Sequence, residues 1–193
     1  SGKTEILLQL HKSKLPVIDL EGLANHKGSA FGALGQNEQT SQEQFENNLA
    51  EELIHISAVH SYFWIEDESQ RIGTNMLPIT FFKNMRNSIC YFIDIPFDAR
   101  LQFIVQAYGK FAVADLIAAT LRIQKRLGGL ETKTAVNFLV ENNIEGAFSI
   151  LLKYYDKVYL KNIEAAAIPK FKTEKIVASE VHSIHNAGLL MHL

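Results

Sequence analysis

The sequence predicts an α/β fold, in which a parallel β-sheet flanked by helices is followed by a mainly helical C-terminal portion. Short apolar stretches alternate with amphipathic helical patterns in the first half, which is typical of parallel strands buried on both faces. These predicted strands are 15–20, 62–65 and 88–95. After Pro96 the pattern is helical. We therefore expect an α/β core over 1–110 and a helical portion over 111–193.

The individual helices follow from caps and apolar spacing. Ser41-x-x-Gln44 is a capping box for a helix whose buried side includes Phe45 and Leu49, and Pro78 opens the next helix. Four more helices are predicted in the second half, at 98–108, 112–127, 131–142 and 145–156. The last residues are poorly periodic, and two short apolar stretches are candidates for further strands: 158–160 and 176–178.

Length and composition exclude several classes of protein. The chain has 193 residues, of which 47% are hydrophobic and 21% charged, enough for a well-packed core. It lacks the run of about 20 apolar residues that a membrane span needs, so no membrane association is expected. The single cysteine, Cys90, excludes an internal disulfide framework and fits a cytoplasmic location.

The chain begins inside a phosphate-binding motif. Ser1-Gly2-Lys3-Thr4, followed by a helical pattern, reads as the end of G-x-x-x-x-G-K-[ST], which favours a P-loop NTPase-like fold. In that motif backbone N–H groups surround a phosphate, Lys3 neutralises it and the Thr4 hydroxyl binds Mg²⁺. The first glycine and the strand that feeds the motif are not in this sequence, so we expect the loop to be incompletely formed.

Two polar segments follow predicted strands, where ligands bind in open α/β sheets. Glu66-Asp67-Glu68 after 62–65 resembles a Walker B segment, so Glu66 and Asp67 are candidate Mg²⁺ ligands and candidate catalytic residues. Arg71 could contact phosphate or pair with these acids. The segment 19–32 is rich in glycine and in polar groups that suit an anion, although an ordinary surface loop fits it too. Its candidate phosphate-binding residues are Asn25, His26, Lys27, Gly28 and Ser29.

Longer strings in the first half carry a family resemblance. D-L-E-G-L-A-N-H-K-G-S-A-F-G (19–32), F-E-N-N-L-A-E-E-L (45–53) and W-I-E-D-E-S-Q-R-I-G (64–73), after S-G-K-T, resemble the P-loop domain of bacterial tRNA 2-selenouridine synthase. The resemblance is dense over 1–95 and only general after that. Lys27 stands where we expect an arginine in this family.

The resemblance implies a specific reaction. Members of this family join a rhodanese-like domain with a catalytic cysteine to a P-loop domain. They replace the sulfur of wobble 2-thiouridine in tRNA with selenium from selenophosphate, through a geranylated intermediate made from geranyl diphosphate. The ligand of Lys3 is then a nucleoside triphosphate or geranyl diphosphate, between which the motif does not choose. The rhodanese-like domain is not in this sequence, and mid-strand Cys90 reads as a buried structural residue. We expect the chain alone not to complete selenium transfer.

Cationic residues favour the second half for RNA contact. Residues 1–96 carry 7 Lys and Arg against 12 Asp and Glu, whereas 97–193 carry 12 against 9. Arg122, Lys125 and Arg126 are candidate tRNA contacts, although cations are also favoured at a helix C-terminus by the helix dipole. Further candidates of this kind are Lys153, Lys157, Lys161, Lys170, Lys172 and Lys175, with Tyr154, Tyr155 and Tyr159 available for base stacking.

Two other functions fit the same motifs. A small-molecule or nucleotide kinase would share the P-loop and the helical second half, and would also need a catalytic base and an arginine-rich lid. The second alternative is a non-catalytic module, in which the P-loop domain binds tRNA or nucleotide while another domain carries out the reaction. His182-x-x-His185 with His192 lacks an acidic or thiol partner, so a metal site there is not favoured.

Overall fold

The computed structural model describes residues 2–165 and 173–193, and it is a mixed α/β structure. Its helices are α1 Lys3–Lys12, α2 Leu20–Leu23, α3 Gln42–Ser57, α4 Ile79–Arg86, α5 Phe97–Tyr108, α6 Val113–Arg122, α7 Gln124–Leu127, α8 Gly129–Val140, α9 Ile144–Ala165 and α10 Ser183–Met191. Its strands are β1 Arg71–Ile72, β2 Asn75–Met76, β3 Cys90–Asp94 and β4 Thr173–Val177. Within these described ranges, no helix is both long and apolar enough to cross a membrane.

Two small sheets replace the single larger sheet expected from the sequence. β3 pairs with β4 in parallel, in a register from Cys90 opposite Thr173 to Asp94 opposite Val177. β1 and β2 form an antiparallel hairpin around Gly73, whose φ of 63° suits the turn. The prediction of a strand at 88–95 is confirmed by β3, and the candidate strand at 176–178 overlaps the end of β4.

The predicted strands 15–20 and 62–65 meet only at one parallel bridge, between Val17 and Trp64. The Ile18 N–H donates to the Trp64 carbonyl at 3.0 Å, and the Trp64 N–H donates to the Pro16 carbonyl at 2.9 Å. Both strand lengths are therefore wrong, although their parallel direction is confirmed. The pairing ends early because α2 begins at Leu20 and turns the backbone out of the ladder.

An open cleft separates this bridge from β3. It has a volume of about 2200 Å³, and Phe63, Trp64 and Ile65 line it together with β3. Peptide groups of successive residues point to opposite edges of a strand. The Trp64 N–H and carbonyl bond to the segment around Val17, and the Asp94 carbonyl accepts from the Ala178 N–H beside β4. The peptide groups of the residues next to Trp64 and next to Asp94 therefore point to the other edge of each strand, which faces the cleft. Among the residues that the structure describes, two strand edges thus lie unpaired along one cavity.

The helical portion differs from its prediction in three places. The helix expected at 112–127 is interrupted at Ile123, where φ is −102° and ψ is 7°, and forms α6 and α7. The strand expected at 158–160 is wrong, because these residues continue α9, whose inner face is buried in the helical core. Tertiary packing there outweighs the β propensity of a short Val-Tyr-Leu stretch. The C-terminal α10 was not predicted; the His182 side chain caps it by accepting from the His185 N–H.

Three apolar clusters form the core. One lies among α5, α6, α8 and α9, and one packs α3 and α4 against the segments around Ile18 and Ile72. The third packs α1 and α10 against β3 and β4, and α10 lies in contact with α1. Phe31 belongs to the first cluster, where its ring lies 5.4 Å from that of Phe148. The glycine-rich segment therefore packs on the helical portion.

Candidate functional site

The phosphate motif lies at the N-terminus of α1. Gly2 precedes the helix with φ of 77°, and a Cβ atom there would lie 2.8 Å from the Val181 side chain, so glycine is required. The Lys3 ammonium contacts the Glu68 carboxylate and lies 3.8 Å from that of Glu21. The Thr4 hydroxyl donates to Glu21 Oε2 at 2.8 Å. Both functional groups of the motif thus face two buried carboxylates.

The charges around Lys3 are strongly coupled. Withdrawal from water lowers the pKa of Lys3, but the carboxylates of Glu68 and Glu21 outweigh this effect, and its pKa is raised. Burial raises the pKa of Glu21, against the attraction of Lys3. Sequence reasoning did not assign Glu21 or Glu68 to the site, although both fall inside the strings that carry the family resemblance. The Lys3 charge is stabilised by acids where an anionic ligand is expected.

Residues 66–68, the acidic segment, present their three carboxylates in three directions. Glu66 is 2% exposed and accepts from the Leu20 N–H at 3.0 Å. Burial and the neighbouring Asp19 raise the pKa of Glu66 to about 8. Asp67 accepts from Arg86 Nη1 at 2.6 Å, and Arg86 also donates to the Glu68 carbonyl at 2.8 Å. Only Glu68 of this segment contacts Lys3, so Glu66 and Asp67 are engaged elsewhere.

Residues 26–32, the glycine loop, lie beside the same carboxylates. His26 Nδ1 accepts from the Gly28 N–H at 3.1 Å, and burial lowers the pKa of His26. Gly28 has φ of 68°, and a Cβ atom there would collide with the Glu68 carboxylate. Lys27 is exposed, and the Ser29 hydroxyl accepts from the Phe31 N–H at 3.2 Å. The structure therefore brings His26, Gly28 and Lys3 around Glu68.

The remaining predicted residues are distributed more widely. The Asn25 amide donates to the Glu38 carbonyl at 3.2 Å, and Arg71 Nε donates to the Gly73 carbonyl at 2.9 Å in its own hairpin. Arg122 Nη1 donates to the Ala30 carbonyl at 3.1 Å and so contacts the glycine loop. Of the other predicted RNA contacts, Lys125 and Arg126 are exposed on the helical portion, whereas Lys170 and Lys172 lie outside the described residues.

In the described parts of the chain, Cys90 and the remaining titratable groups form no second reactive centre. Cys90 is half-buried, and burial raises the pKa of its thiol to about 11, so it is protonated at neutral pH. Among the described residues, no three His, Cys, Asp or Glu side chains converge as a ready metal site. Arg86, which contacts the acidic segment, carried no motif by which the sequence could have identified it.

The comparisons with known proteins identify the family. Residues 1–184 match the model of the tRNA 2-selenouridine synthase AAA domain. Proteins named tRNA 2-selenouridine synthase from Shewanella frigidimarina and Bdellovibrio bacteriovorus are 35% and 32% identical to the chain, over 85% and 93% of its length. The chain spans 52% and 59% of these relatives, about half of their length. No solved structure matches it. The chain belongs to the family of the tRNA 2-selenouridine synthase AAA domain.

Proposed function

We propose that this chain is the diphosphate- and tRNA-binding part of a transferase that converts wobble 2-thiouridine to 2-selenouridine. Selenophosphate supplies the selenium, and a geranylated thiouridine made from geranyl diphosphate is the intermediate. The observation that carries the proposal is the placement of Lys3 and Thr4 at a helix N-terminus beside the glycine loop, in a chain of this family. tRNA is a cytoplasmic substrate, so the same proposal places the protein in the cytoplasm.

Diphosphate binding would use α1 in the way that helix N-termini bind anions. The N–H groups of the first turn and the helix dipole favour a phosphate group there. A diphosphate would replace Glu68 and Glu21 as the counter-charge of Lys3. A P-loop NTPase-like fold is therefore the interpretation that the motif and the bridge at Trp64 support.

The oxygen atoms around Thr4 fit a magnesium ion. Its hydroxyl and the Glu21 carboxylate lie 2.8 Å apart, and Mg²⁺ prefers hydroxyl, carboxylate and phosphate oxygens. Glu66 and Asp67, which the sequence suggested as ligands, already accept from Leu20 and Arg86. We propose that Thr4 and Glu21 hold the ion, which would neutralise the charge that a diphosphate adds next to the two acids.

The lining of the cleft favours a prenyl diphosphate over a nucleoside triphosphate. The cleft begins at Gly2, Lys3 and Thr4 and continues along apolar and aromatic side chains of the helical portion. Those residues include Phe31, Tyr108, Phe111, Phe148, Leu151 and Tyr155. An apolar wall gains about 25 cal/mol per Å² of hydrocarbon that it removes from water, which a geranyl chain supplies and a ribose does not.

The unpaired edges at Ile65 and Ile93 support a place for the strand that feeds the phosphate motif. The cleft of about 2200 Å³ exceeds the roughly 300–1000 Å³ of ligand sites, so a small ligand leaves room in it. If a strand precedes Gly2 in the whole protein, as the complete phosphate motif requires, we propose that it pairs with both edges. Amide exchange tests this: extending the chain upstream by about ten residues should slow exchange at Ile65 and Ile93, and unchanged exchange would contradict it.

The proposed function is tested by binding measurements on the upstream-extended chain. Wobble-thiouridine tRNA, geranyl diphosphate and ATP are titrated into wild type, Lys3→Ala and the control Lys12→Ala, which removes an exposed lysine at the other end of α1. We expect Lys3→Ala to weaken the binding of geranyl diphosphate by about tenfold or more and to leave tRNA binding unchanged. Tight ATP binding with phosphoryl transfer and no tRNA affinity would instead favour a kinase.

Reactivity is tested separately, because the catalytic cysteine is expected in the rhodanese-like domain. The protonated, half-buried thiol of Cys90 suits no nucleophilic role. We therefore expect this chain to bind its ligands without transferring selenium, and Cys90→Ser in the whole protein to leave selenouridine formation within about threefold of wild type. Loss of activity in that variant would contradict the assignment. Binding of nucleotide or RNA without any activity in the whole protein would favour a non-catalytic module.

A further inference from the structure

Two tyrosines on one face of α9 contact two different segments of the candidate site. Tyr155 and Tyr159 are four residues apart, so their side chains lie one helical turn from each other on the same face. The Ala30 N–H in the glycine loop donates to the Tyr155 hydroxyl at 3.3 Å. The Tyr159 hydroxyl donates to Asp67 Oδ2 in the acidic segment at 3.2 Å. One rigid helix thus contacts both segments that surround Lys3.

Each tyrosine is fixed by further contacts. The Tyr159 ring stacks on Phe92 at 5.7 Å with an interplanar angle of 25°. Both phenols are withdrawn from water, and burial raises the pKa of each. The Tyr159 ring and both hydroxyls therefore already have partners within the protein. The sequence had suggested these tyrosines for stacking on RNA bases.

The helix that carries the tyrosines is itself tightly packed. Leu151 and Leu152 are buried one turn before Tyr155, in the cluster that also contains Phe31 of the glycine loop. Arg100 of α5 donates to Asp156 through Nη1 and Nη2, at 2.6 and 2.9 Å. Because α9 is fixed at these points, a movement of the helix at the Tyr155 contact would also move the Tyr159 contact.

We propose that Tyr155 and Tyr159 are positioning residues that hold the glycine loop and the acidic segment in place relative to each other beside Lys3. This inference rests on the proposed function, because the relative placement of the two segments matters only if a diphosphate binds beside them. The C-terminal helical portion is then required for diphosphate binding as well as for any contact with RNA.

The test compares three Tyr→Phe variants of the upstream-extended chain. Tyr155→Phe and Tyr159→Phe each remove one of the two hydroxyls, and Tyr154→Phe is the matched control, because its hydroxyl makes no hydrogen bond among the described residues. Inorganic pyrophosphate and geranyl diphosphate are the probes. We expect binding about three- to tenfold weaker in each of the first two variants and unchanged in the control.

Two readouts separate positioning from general stability. The melting temperatures of the three variants should be similar, and their affinity for tRNA should equal that of wild type. The double variant Tyr155→Phe/Tyr159→Phe should lose less affinity than the product of the two single losses. Either change alone already releases the two segments from their fixed relative positions.

Three results would overturn the inference. Equal diphosphate affinity in all three variants would show that the tyrosines do not position the site. A loss of affinity that follows the loss of melting temperature would show a purely structural role. If wild type binds no diphosphate, the proposed function fails, and this inference fails with it. If wild type binds diphosphate and all three variants bind it equally well, this inference fails and the proposed function stands.

Discussion

The glycine loop and the acidic segment surround the same lysine but are stabilised by different forces. The loop is placed mainly by Phe31, which is 3% exposed inside the helical core, with neutral hydrogen bonds and one from Arg122 to the Ala30 carbonyl around it. The acidic segment is placed by the charged hydrogen bond from Arg86 to Asp67 and by the Leu20 N–H, which donates to the buried, titratable Glu66 side chain. Apolar burial does not depend on protonation and is not screened by moderate salt, whereas charged contacts respond to both pH and ionic strength. The two sides of the site should therefore fail under different changes.

The largest effect is expected from the apolar side. Phe31→Ala removes a buried ring that contacts those of Tyr108 and Phe148, and we expect a loss of about 3–5 kcal/mol in the free energy of unfolding. Diphosphate affinity should fall as well, because the glycine loop loses its main packing contact. Urea unfolding and pyrophosphate titration measure the two effects. The control Phe31→Leu keeps an apolar side chain and should lose less than half as much; equal losses would contradict the role of ring packing.

The charged side should respond to Arg86→Met. This change keeps the aliphatic stem and leaves Asp67 with the Tyr159 hydroxyl, so we expect a loss of about 1–3 kcal/mol in unfolding free energy. Asp67→Asn in the Arg86→Met background should cost less than in wild type, because the partner charge is already absent. Additive losses in this double-mutant cycle would show that the ion pair does not stabilise the acidic segment.

Glu66 makes the acidic segment sensitive to pH. Its folded pKa of about 8 exceeds the unfolded value of 4.5, so the folded protein binds more protons between these values, and stability falls as the pH rises through that window. Glu66→Gln should remove this part of the fall and raise the melting temperature at pH 8.5 by about 2–4 °C. Melting curves from pH 5 to 8.5 for both proteins test the difference. Parallel curves would contradict the raised pKa.

The smallest effect on folding is expected on the exposed surface, where neither burial nor charge pairing fixes the side chain. Arg126→Ala should change unfolding free energy by less than about 0.5 kcal/mol, because its side chain is exposed on α7. If this residue contacts tRNA, the slope of log affinity against log salt should decrease by about 1. Lys12→Ala, on the opposite portion, is the control. An unchanged slope in Arg126→Ala would remove this residue from the RNA surface.

Individual elements show which features the sequence patterns predicted correctly and which they did not. The strand at β3 and the cap at Ser41 follow from local residues, and both are observed. The strand expected at 158–160 and the uninterrupted helix at 112–127 are wrong, because packing and the backbone at Ile123 decide those conformations. Lys3 and Thr4 were identified by their motif, but Glu21 and Glu68 were not, because they reach Lys3 only through the folded chain.

The sequence by itself determined the mixed α/β class, the family resemblance and the motif that carries Lys3. Each of these depends on residues adjacent in the chain, whose spacing is readable without coordinates. Only the tertiary structure decided that Glu21 and Glu68 neutralise Lys3, and that Arg86 and Tyr159 bond to Asp67. Tyr159 lies 92 residues from Asp67, and the side chains meet because core packing fixes α9 beside the acidic segment. Contacts at such separations have no local pattern, so burial and the packing of helices determine them.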